Sequence, residues 1–134
     1  MKNLKLYRCK ICGNLIAMFE DMGPVPMCCN TQMRPVNANT VDAVLEKHVP
    51  VIFQDGNYVT VRVGEINHPM GADHYIKWII LLTDTGGHSK ELFPGMDPTA
   101  EFVLDPAENV IAAYAYCNLH GLWCSEKEDN LWES

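Results

Sequence analysis

The chain has 134 residues and a formal net charge of −7, enough for one ordinary domain or a modest domain with a small module. This acidic balance, without a lysine and arginine stripe, disfavours nucleic acid as a partner. The longest apolar stretches, 78–82 and 110–115, fall short of the roughly 20 residues of a membrane span. A charged N-terminus that reaches a cysteine at position 9 leaves no room for a signal peptide. We therefore expect a cytoplasmic protein without membrane contact.

The first 36 residues contain four of the six cysteines and too few large apolar residues for an independent core. Cys9 and Cys12 form a C-x-x-C pair, and Cys28 and Cys29 are adjacent. Four thiolates are the number that a tetrahedral iron or zinc ion takes, so a metal would replace the missing core. Adjacent cysteines rarely bond to each other, so two disulfides are the weaker alternative. A purely structural zinc ion stays open.

A linker-like stretch, 35–40, separates a module of residues 1–36 from a domain of residues 37–134. A short helical turn is predicted over 41–47. The pattern after residue 49 is that of a β-protein, because short β-branched and aromatic runs alternate with glycine, proline and aspartate turns. The predicted strands are 51–53, 58–63, 75–82, 100–104 and 110–117, the first two forming a hairpin. Strands at this spacing predict an antiparallel β-sandwich.

Four histidines and one cysteine lie next to these strands. His48, His68 and His74 fall in bordering loops, and Cys117 and His120 follow the last long strand, so one sheet edge would gather all five. A single such histidine is more often an ordinary structural residue, but the joint pattern favours a metal site. C-x-x-H also occurs in blue-copper sandwiches, yet the residues that follow here offer no axial methionine.

The motifs around these residues resemble those of superoxide reductases. They are Glu-Lys-His-Val-Pro at 46–50, Asn-His-Pro-Met at 67–70, His-Tyr-Ile at 74–76 and Tyr-Cys-Asn-Leu-His-Gly at 116–121. The C-x-x-C and C-C pairs resemble the desulforedoxin-type iron site, so the chain resembles the desulfoferrodoxin family over nearly its whole length. The expected fold is mainly β: a small desulforedoxin-like, metal-stapled module followed by an immunoglobulin-like antiparallel β-sandwich.

The resemblance also implies a cofactor and an activity. It implies two iron ions per chain, one held by the four cysteines and one by four histidines in a plane with Cys117 on the axis. The opposite axial position would stay open for superoxide, which would be reduced by one electron to hydrogen peroxide without release of dioxygen. The implied partners are a rubredoxin-like electron donor and a second copy of the chain in a homodimer.

Two charged residues precede His48. Lys47 would attract the superoxide anion by about 1 kcal/mol at 4 Å in water and nearer 4 kcal/mol at an effective dielectric of about 20. The resemblance suggests that the Glu46 carboxylate takes the open position once the iron is oxidised. The alternative for both residues is a solvated charged pair.

Other residues receive structural interpretations. His88 is expected in an exposed turn, Cys124 as a small buried hydrophobe, and Met70 beside the metal pocket. Aromatic residues expected in the sandwich or at a subunit contact are Trp78, Trp123, Tyr114 and Tyr116. Two rival functions remain at this point, a non-catalytic electron carrier and a zinc-stabilised binding module.

Overall fold

The computed structural model describes residues 4–39 and 45–127, and the side chains of residues 45 and 46 fall outside the description. Its elements in the N-terminal part are β1 (Leu6–Arg8), β2 (Leu15–Ala17), β3 (Met27–Cys28), β4 (Thr31–Gln32) and β5 (Arg34–Val36). The remaining elements are α1 (Leu45–His48), β6 (Pro50–Asp55), β7 (Tyr58–Val63), β8 (Ile76–Thr83), β9 (Gly86–Glu91), β10 (Thr99–Val103), β11 (Val110–Cys117) and β12 (Gly121–Glu126). No helix in these ranges has the length and apolar character needed to span a membrane.

The N-terminal module has almost no apolar core. Its strands form a three-stranded sheet, β2-β1-β5, and a separate hairpin, β3-β4. Among the described residues before position 40, the buried apolar side chains are Leu6, Cys9 and Met33. Phe19 and Met22 are more than four-fifths exposed. Because so little apolar surface is buried, this module requires another source of stability.

The β-sandwich consists of two antiparallel sheets, β10-β7-β6 and β12-β11-β8-β9. The seven strands match the number in an immunoglobulin constant-type domain, so the predicted β-sandwich is confirmed. Strand β7 shows why these residues form a strand: Val59, Val61 and Val63 alternate with exposed or half-buried residues and are fully buried. They pack in one core with residues of the facing sheet such as Ile79 and Leu81.

Two strands of the β-sandwich, β9 and β12, were missed in the sequence, as were the short strands β1–β5 of the N-terminal module. His88 is not in an exposed turn, as predicted, but lies in β9, where it pairs with Leu81 and is half-buried. The glycines, serine and lysine of β9 have low β propensity, so its strand conformation depends on pairing with β8. Cys124, predicted to be buried, is only half-buried in β12. The predicted helical turn is present at its end, in α1, and residues 41–44 lie outside the described ranges.

The described part of the linker follows the edge of the four-stranded sheet. The Asn39 backbone N–H donates to the Leu122 carbonyl at 2.9 Å, and its side-chain amide exchanges two hydrogen bonds with the Cys124 backbone at 2.9 and 3.1 Å. These bonds cover part of the edge of β12 with a side chain, which limits edge-to-edge pairing with other chains.

A polar cluster joins β8, β9 and the loop before β11. The Glu108 carboxylate accepts hydrogen bonds from the Thr83 hydroxyl at 2.5 Å and from His88 Nε2 at 2.9 Å. The hydrogen bond from Thr83, followed by that from His88, lowers the pKa of Glu108 below its ordinary value. These hydrogen bonds therefore stabilise the ionised form of the Glu108 carboxylate relative to its protonated form.

We expect Glu108→Gln to lower the free energy of unfolding at neutral pH by about 1–2 kcal/mol, because the hydrogen bonds that the carboxylate accepts from Thr83, His88 and the Asp105 N–H are weakened. A lowered folded pKa gives stability that is present above the unfolded pKa, about 4.3, and lost as pH falls through the folded pKa. The stability difference between wild type and variant in urea unfolding should therefore shrink as pH falls below about 4.3. Glu101→Gln, at an exposed position in β10, is the control. If the difference in unfolding free energy between wild type and Glu108→Gln does not change with pH, the stabilising role of the ionised carboxylate is contradicted.

Candidate metal centres

Two clusters of metal-binding side chains are present in the described residues. One consists of Cys9, Cys12, Cys28 and Cys29, whose sulfur atoms all lie within 4.8 Å of one another. The other brings together His48, His74, Cys117 and His120, with donor atoms within the same distance of one another. All four cysteines predicted for the first site are thus together, as are four of the five residues predicted for the second.

The first cluster is built by two tight turns. The N–H groups of Ile11 and Cys12 both donate to the Cys9 sulfur at 3.4 Å. Cys29 and Asn30 both have positive φ, 52° and 58°, as a two-residue type I′ loop between β3 and β4 requires. The adjacent cysteines therefore lie at a hairpin tip and turn their thiols toward the C-x-x-C loop.

The sulfur separations fit a bound metal and not disulfides. Cys12 and Cys28 sulfurs are 3.6 Å apart, and Cys28 and Cys29 sulfurs are 3.9 Å apart. A disulfide requires about 2.05 Å, and all of these cysteines are free. Four sulfurs at about 2.3 Å from a tetrahedral ion lie about 3.8 Å from one another. The donor set and its spacing therefore suit a tetrahedral thiolate site.

The thiols of this cluster differ in acidity. Hydrogen bonds from the backbone N–H of Cys12, and less strongly from that of Ile11, lower the pKa of Cys9 to about 6. Hydrogen bonding with Cys12 and Cys9 raises the pKa of Cys29 to about 12. One thiolate is thus stabilised by the fold itself, and a cation would be needed to hold the others deprotonated together.

The second cluster lies at one end of the β-sandwich. His48 ends α1, His68 and His74 belong to the loop between β7 and β8, and Cys117 ends β11 with His120 in the following turn. His48, His68 and Cys117 are buried, and His74 and His120 are half-buried. Burial of three polar ligands in one place requires that each find a partner.

The four imidazole rings form a nearly square arrangement. Neighbouring ring centroids are 4.6 Å apart for His48–His68, 4.7 Å for His68–His74, 5.1 Å for His74–His120 and 4.8 Å for His120–His48. The diagonal between His48 and His74 is 6.3 Å. Neighbouring rings are inclined by 76–88°, so each ring is nearly perpendicular to the next one around the square. His68 is not among the four residues whose donor atoms lie within 4.8 Å of one another, but its ring completes this square.

Two of the imidazole nitrogens at this centre lack a hydrogen-bond partner among the described residues. His68 Nδ1 donates to the Pro69 carbonyl at 2.7 Å, which leaves Nε2 as the atom with a free lone pair. Nε2 of His68 and Nε2 of His74 are both buried without a hydrogen-bond partner. His48 Nε2 lies 3.0 Å from His120 Nδ1, and the Cys117 sulfur lies 3.9 Å from the same atom. Buried, unpaired nitrogens beside a thiol fit a transition-metal ion.

Burial also sets the protonation state of these ligands. Desolvation, opposed by the hydrogen bond to Pro69, lowers the pKa of His68 to about 4. Desolvation likewise lowers the pKa of His74, with the charges of His120, His48 and Lys47 adding to the effect. Burial raises the pKa of the Cys117 thiol, although backbone N–H groups of the following turn oppose this. His68 and His74 are therefore neutral at neutral pH, as imidazole metal ligands must be.

Known proteins are similar to this chain in sequence and in fold. The desulfoferrodoxin family model matches residues 40–126. The chain belongs to the desulfoferrodoxin family. It is 43% identical to a desulfoferrodoxin of Desulfarculus baarsii over 93% of this chain and 98% of that protein. It is 42% identical to a desulfoferrodoxin homolog of Archaeoglobus fulgidus over 91% of this chain and 96% of that protein.

Solved superoxide reductases have the same fold. The crystal structure of the superoxide reductase from Treponema pallidum is 37% identical, with a TM-score of 0.78 over 92% of this chain and 99% of that one. A superoxide reductase from Giardia intestinalis, described as 1Fe-SOR, is also 37% identical, with a TM-score of 0.51 over 60% of this chain and 95% of that one. The desulfoferrodoxin fold of the chain is thus shared with proteins named for superoxide reduction.

The two charged residues predicted beside the second metal site belong to α1. Lys47 is half-buried, and its charge contributes to the lowered pKa of His74, which places it near the cluster. The backbone of Glu46 is part of the helix, but its side chain lies outside the described atoms. Its role in this desulfoferrodoxin family member therefore stays a prediction.

Gly64 is a positioning residue that sequence reasoning missed. It has a φ of +86°, and a Cβ at this position would lie 2.7 Å from the Lys47 carbonyl oxygen and even closer to the Ile66 carbonyl. Its N–H donates to the Val49 carbonyl at 3.0 Å. The end of β7 therefore packs directly on the backbone that carries Lys47 and His48. A lone glycine after a strand gives only a weak turn signal in the sequence.

Asn118 and Trp123 also support the histidine and cysteine cluster. Asn118 exchanges hydrogen bonds with the Tyr75 backbone at 2.9 and 3.2 Å and donates to the Asp73 carbonyl at 3.0 Å. The loop that carries His74 is thereby fixed to the turn after Cys117. Trp123 is fully buried and stacks on His48 with a centroid separation of 4.8 Å, so its predicted packing role includes the metal pocket.

We expect Cys12→Ser to lose the metal of the four-cysteine site and with it the fold of the N-terminal module, because three buried apolar residues cannot hold it. Amide hydrogen exchange should become fast in β1–β5 and stay slow in β7, β8 and β11. Cys124→Ser is the matched control, since its thiol is outside both clusters. Retained protection in β1–β5 of the metal-free variant would contradict a stapling role.

We expect Gly64→Ala to lower the free energy of unfolding by roughly 1–3 kcal/mol and to weaken metal retention at the histidine and cysteine cluster, because the strained backbone must also shift away from Lys47. Gly56→Ala is the control: its φ is +59°, yet a Cβ there meets no atom within 4 Å. Urea unfolding and metal analysis after dialysis measure the two effects. Equal metal retention in both variants would remove the positioning role.

Proposed function

We propose that the chain is a superoxide reductase that converts superoxide to hydrogen peroxide by one-electron reduction. The observation that carries this proposal is the square of four imidazoles with the Cys117 thiol beside it. Five protein donors leave room for one further ligand on a six-coordinate ion, and a small anion fits such a position. The likeness to proteins named superoxide reductase supports the same assignment.

Iron is the metal that we assign to both clusters. The first offers four thiolates in tetrahedral spacing, a set that iron and zinc both accept, and the second mixes neutral imidazoles with one thiolate. When bound at the second cluster, ferrous iron supplies the electron, and the thiolate increases its electron density. The residues of the cluster hold the ion, and the neutral state of His68 and His74 keeps them available for it.

We assign to the positive charge of Lys47 the role of attracting the superoxide anion. It lies next to His48 in sequence, is half-buried, and acts electrostatically on His74. In a chain of net charge −7, a local positive charge is needed to offset the repulsion of an anion by the whole protein. We assign to the Glu46 carboxylate the role of a ligand that would bind at the open coordination position after the product has left.

The electron donor and assembly are further parts of the proposal. Each turnover consumes one electron, which a rubredoxin-like protein would supply, and the four-cysteine iron has either a relay role or a purely structural one. We also propose a homodimer, in which the exposed apolar residues Phe19 and Met22 would find a partner surface. A cytoplasmic location suits six free cysteines, because thiols stay reduced there.

The activity is tested by mixing the reduced, iron-loaded protein with a superoxide pulse and following peroxide, dioxygen and iron oxidation. A reductase yields one peroxide for every superoxide consumed and no dioxygen, whereas a dismutase yields one peroxide and one dioxygen for every two. If superoxide leaves the iron reduced, the chain is an electron carrier and the enzyme assignment is wrong. A colourless protein with stoichiometric zinc would also contradict it.

We expect Lys47→Gln to lower the second-order rate constant with superoxide by roughly tenfold at low ionic strength and to flatten its salt dependence, because electrostatic attraction of the anion is removed. Pulse radiolysis at several ionic strengths measures both quantities. Lys77→Gln, a half-buried lysine in β8, is the control for a general change in charge. An unchanged rate and salt dependence for Lys47→Gln would remove the steering role.

A further inference from the structure

A groove of about 390 Å³ lies where the N-terminal module meets the four-stranded sheet. Its walls come from the loop and strands of the module on one side and from β11 and β12 on the other. The residues that matter here are Arg8, Lys10, Arg34, Tyr116 and Gly121. None of them belongs to either metal cluster.

The groove concentrates positive charge in an acidic protein. The chain has 10 lysines and arginines against 17 aspartates and glutamates, yet Arg8, Lys10 and Arg34 line this one groove and no carboxylate does. Within the described part of the chain, no carboxylate forms an ion pair with any of the three. Three unneutralised cations around a concave surface make it a site for an anionic partner.

Arg8 is held in place in the wall of this groove. Its guanidinium lies 5.0 Å from the centroid of the Tyr116 ring, and one of its terminal nitrogens donates to the Gly13 carbonyl at 3.2 Å. Its Nε is buried without a hydrogen-bond partner. A guanidinium that is already fixed by these two contacts loses less conformational entropy when it binds a carboxylate.

The groove touches the sequence neighbours of both metal clusters. Arg8 precedes Cys9, and Lys10 lies inside the C-x-x-C loop. Tyr116 precedes Cys117 in β11, and Gly121 is paired with Cys117 across the β11–β12 hairpin. A protein seated in this groove would therefore lie beside ligands of both clusters.

We propose that this groove docks a carboxylate-rich surface of a protein electron donor, which passes one electron to the oxidised metal of this chain. The donor is oxidised by one electron, the metal is reduced by one electron, and no atoms are transferred. The inference rests on the proposed function, since a reductase needs an external electron at each turnover. A macromolecular occupant is favoured over a small anion because Lys10 and Arg34 are exposed and come from different loops and strands.

The test uses the full-length, iron-loaded protein, with reduced rubredoxin as the acidic one-electron donor. Arg34→Glu should weaken rubredoxin binding, measured by isothermal titration calorimetry, and slow electron transfer in stopped flow roughly tenfold at low ionic strength. Arg34→Gln should have a smaller effect, and both should approach wild type at high salt. Lys90→Glu, an exposed cation in β9 away from the groove, is the matched control and should not change either measurement.

Three results would overturn the proposal. The first is an equal effect of Arg34→Glu and Lys90→Glu on binding and transfer. The second is inhibition by inorganic phosphate far beyond that of chloride at equal ionic strength without loss of rubredoxin binding, which would make the groove a small-anion site. The third is dissociation of a dimer by Arg34→Glu in sedimentation velocity, which would make it a subunit contact. Oxidation of the pre-reduced wild type by superoxide, without donor, reports the proposed function separately.

Discussion

The antiparallel pairing of β8 with β11 is the interaction on which the rest of the structure depends. These are the two central strands of the four-stranded sheet, and their register places Cys117 opposite Ile76, close to the loop of His74. The inner faces of both strands bury apolar side chains in the core, so a slip of one residue would expose them and move Cys117 to the other face. The core thus fixes the position of a metal ligand.

The two metal clusters are stabilised in different ways. The four-cysteine cluster belongs to a module with three buried apolar residues in its described part, so its turns depend on the metal. The histidine and cysteine cluster lies on a packed sandwich, where Trp123, Asn118 and Gly64 hold its loops from three sides. Supporting contacts of this kind orient ligands before a metal arrives.

Charge is distributed to match these roles. Burial keeps His68 neutral with a pKa of about 4, and backbone N–H groups stabilise the Cys9 thiolate with a pKa of about 6. Positive side chains are scarce in the chain as a whole, but they occur beside the histidine cluster at Lys47 and around the groove at Arg8 and Arg34. In an acidic protein, such local cations attract anions to the surfaces on which they lie.

The sequence by itself determined the four-cysteine cluster, because two close pairs of thiols in a segment without a core leave few other arrangements. It also determined β7 and β11, whose patterns of buried residues follow from the two-residue period of a strand. Only the tertiary structure decided that β9 and β12 are strands, that Gly64 contacts the backbone of Lys47, and that Arg8 lies over Tyr116. These features depend on partners distant in the chain, and local propensity contains no information about them.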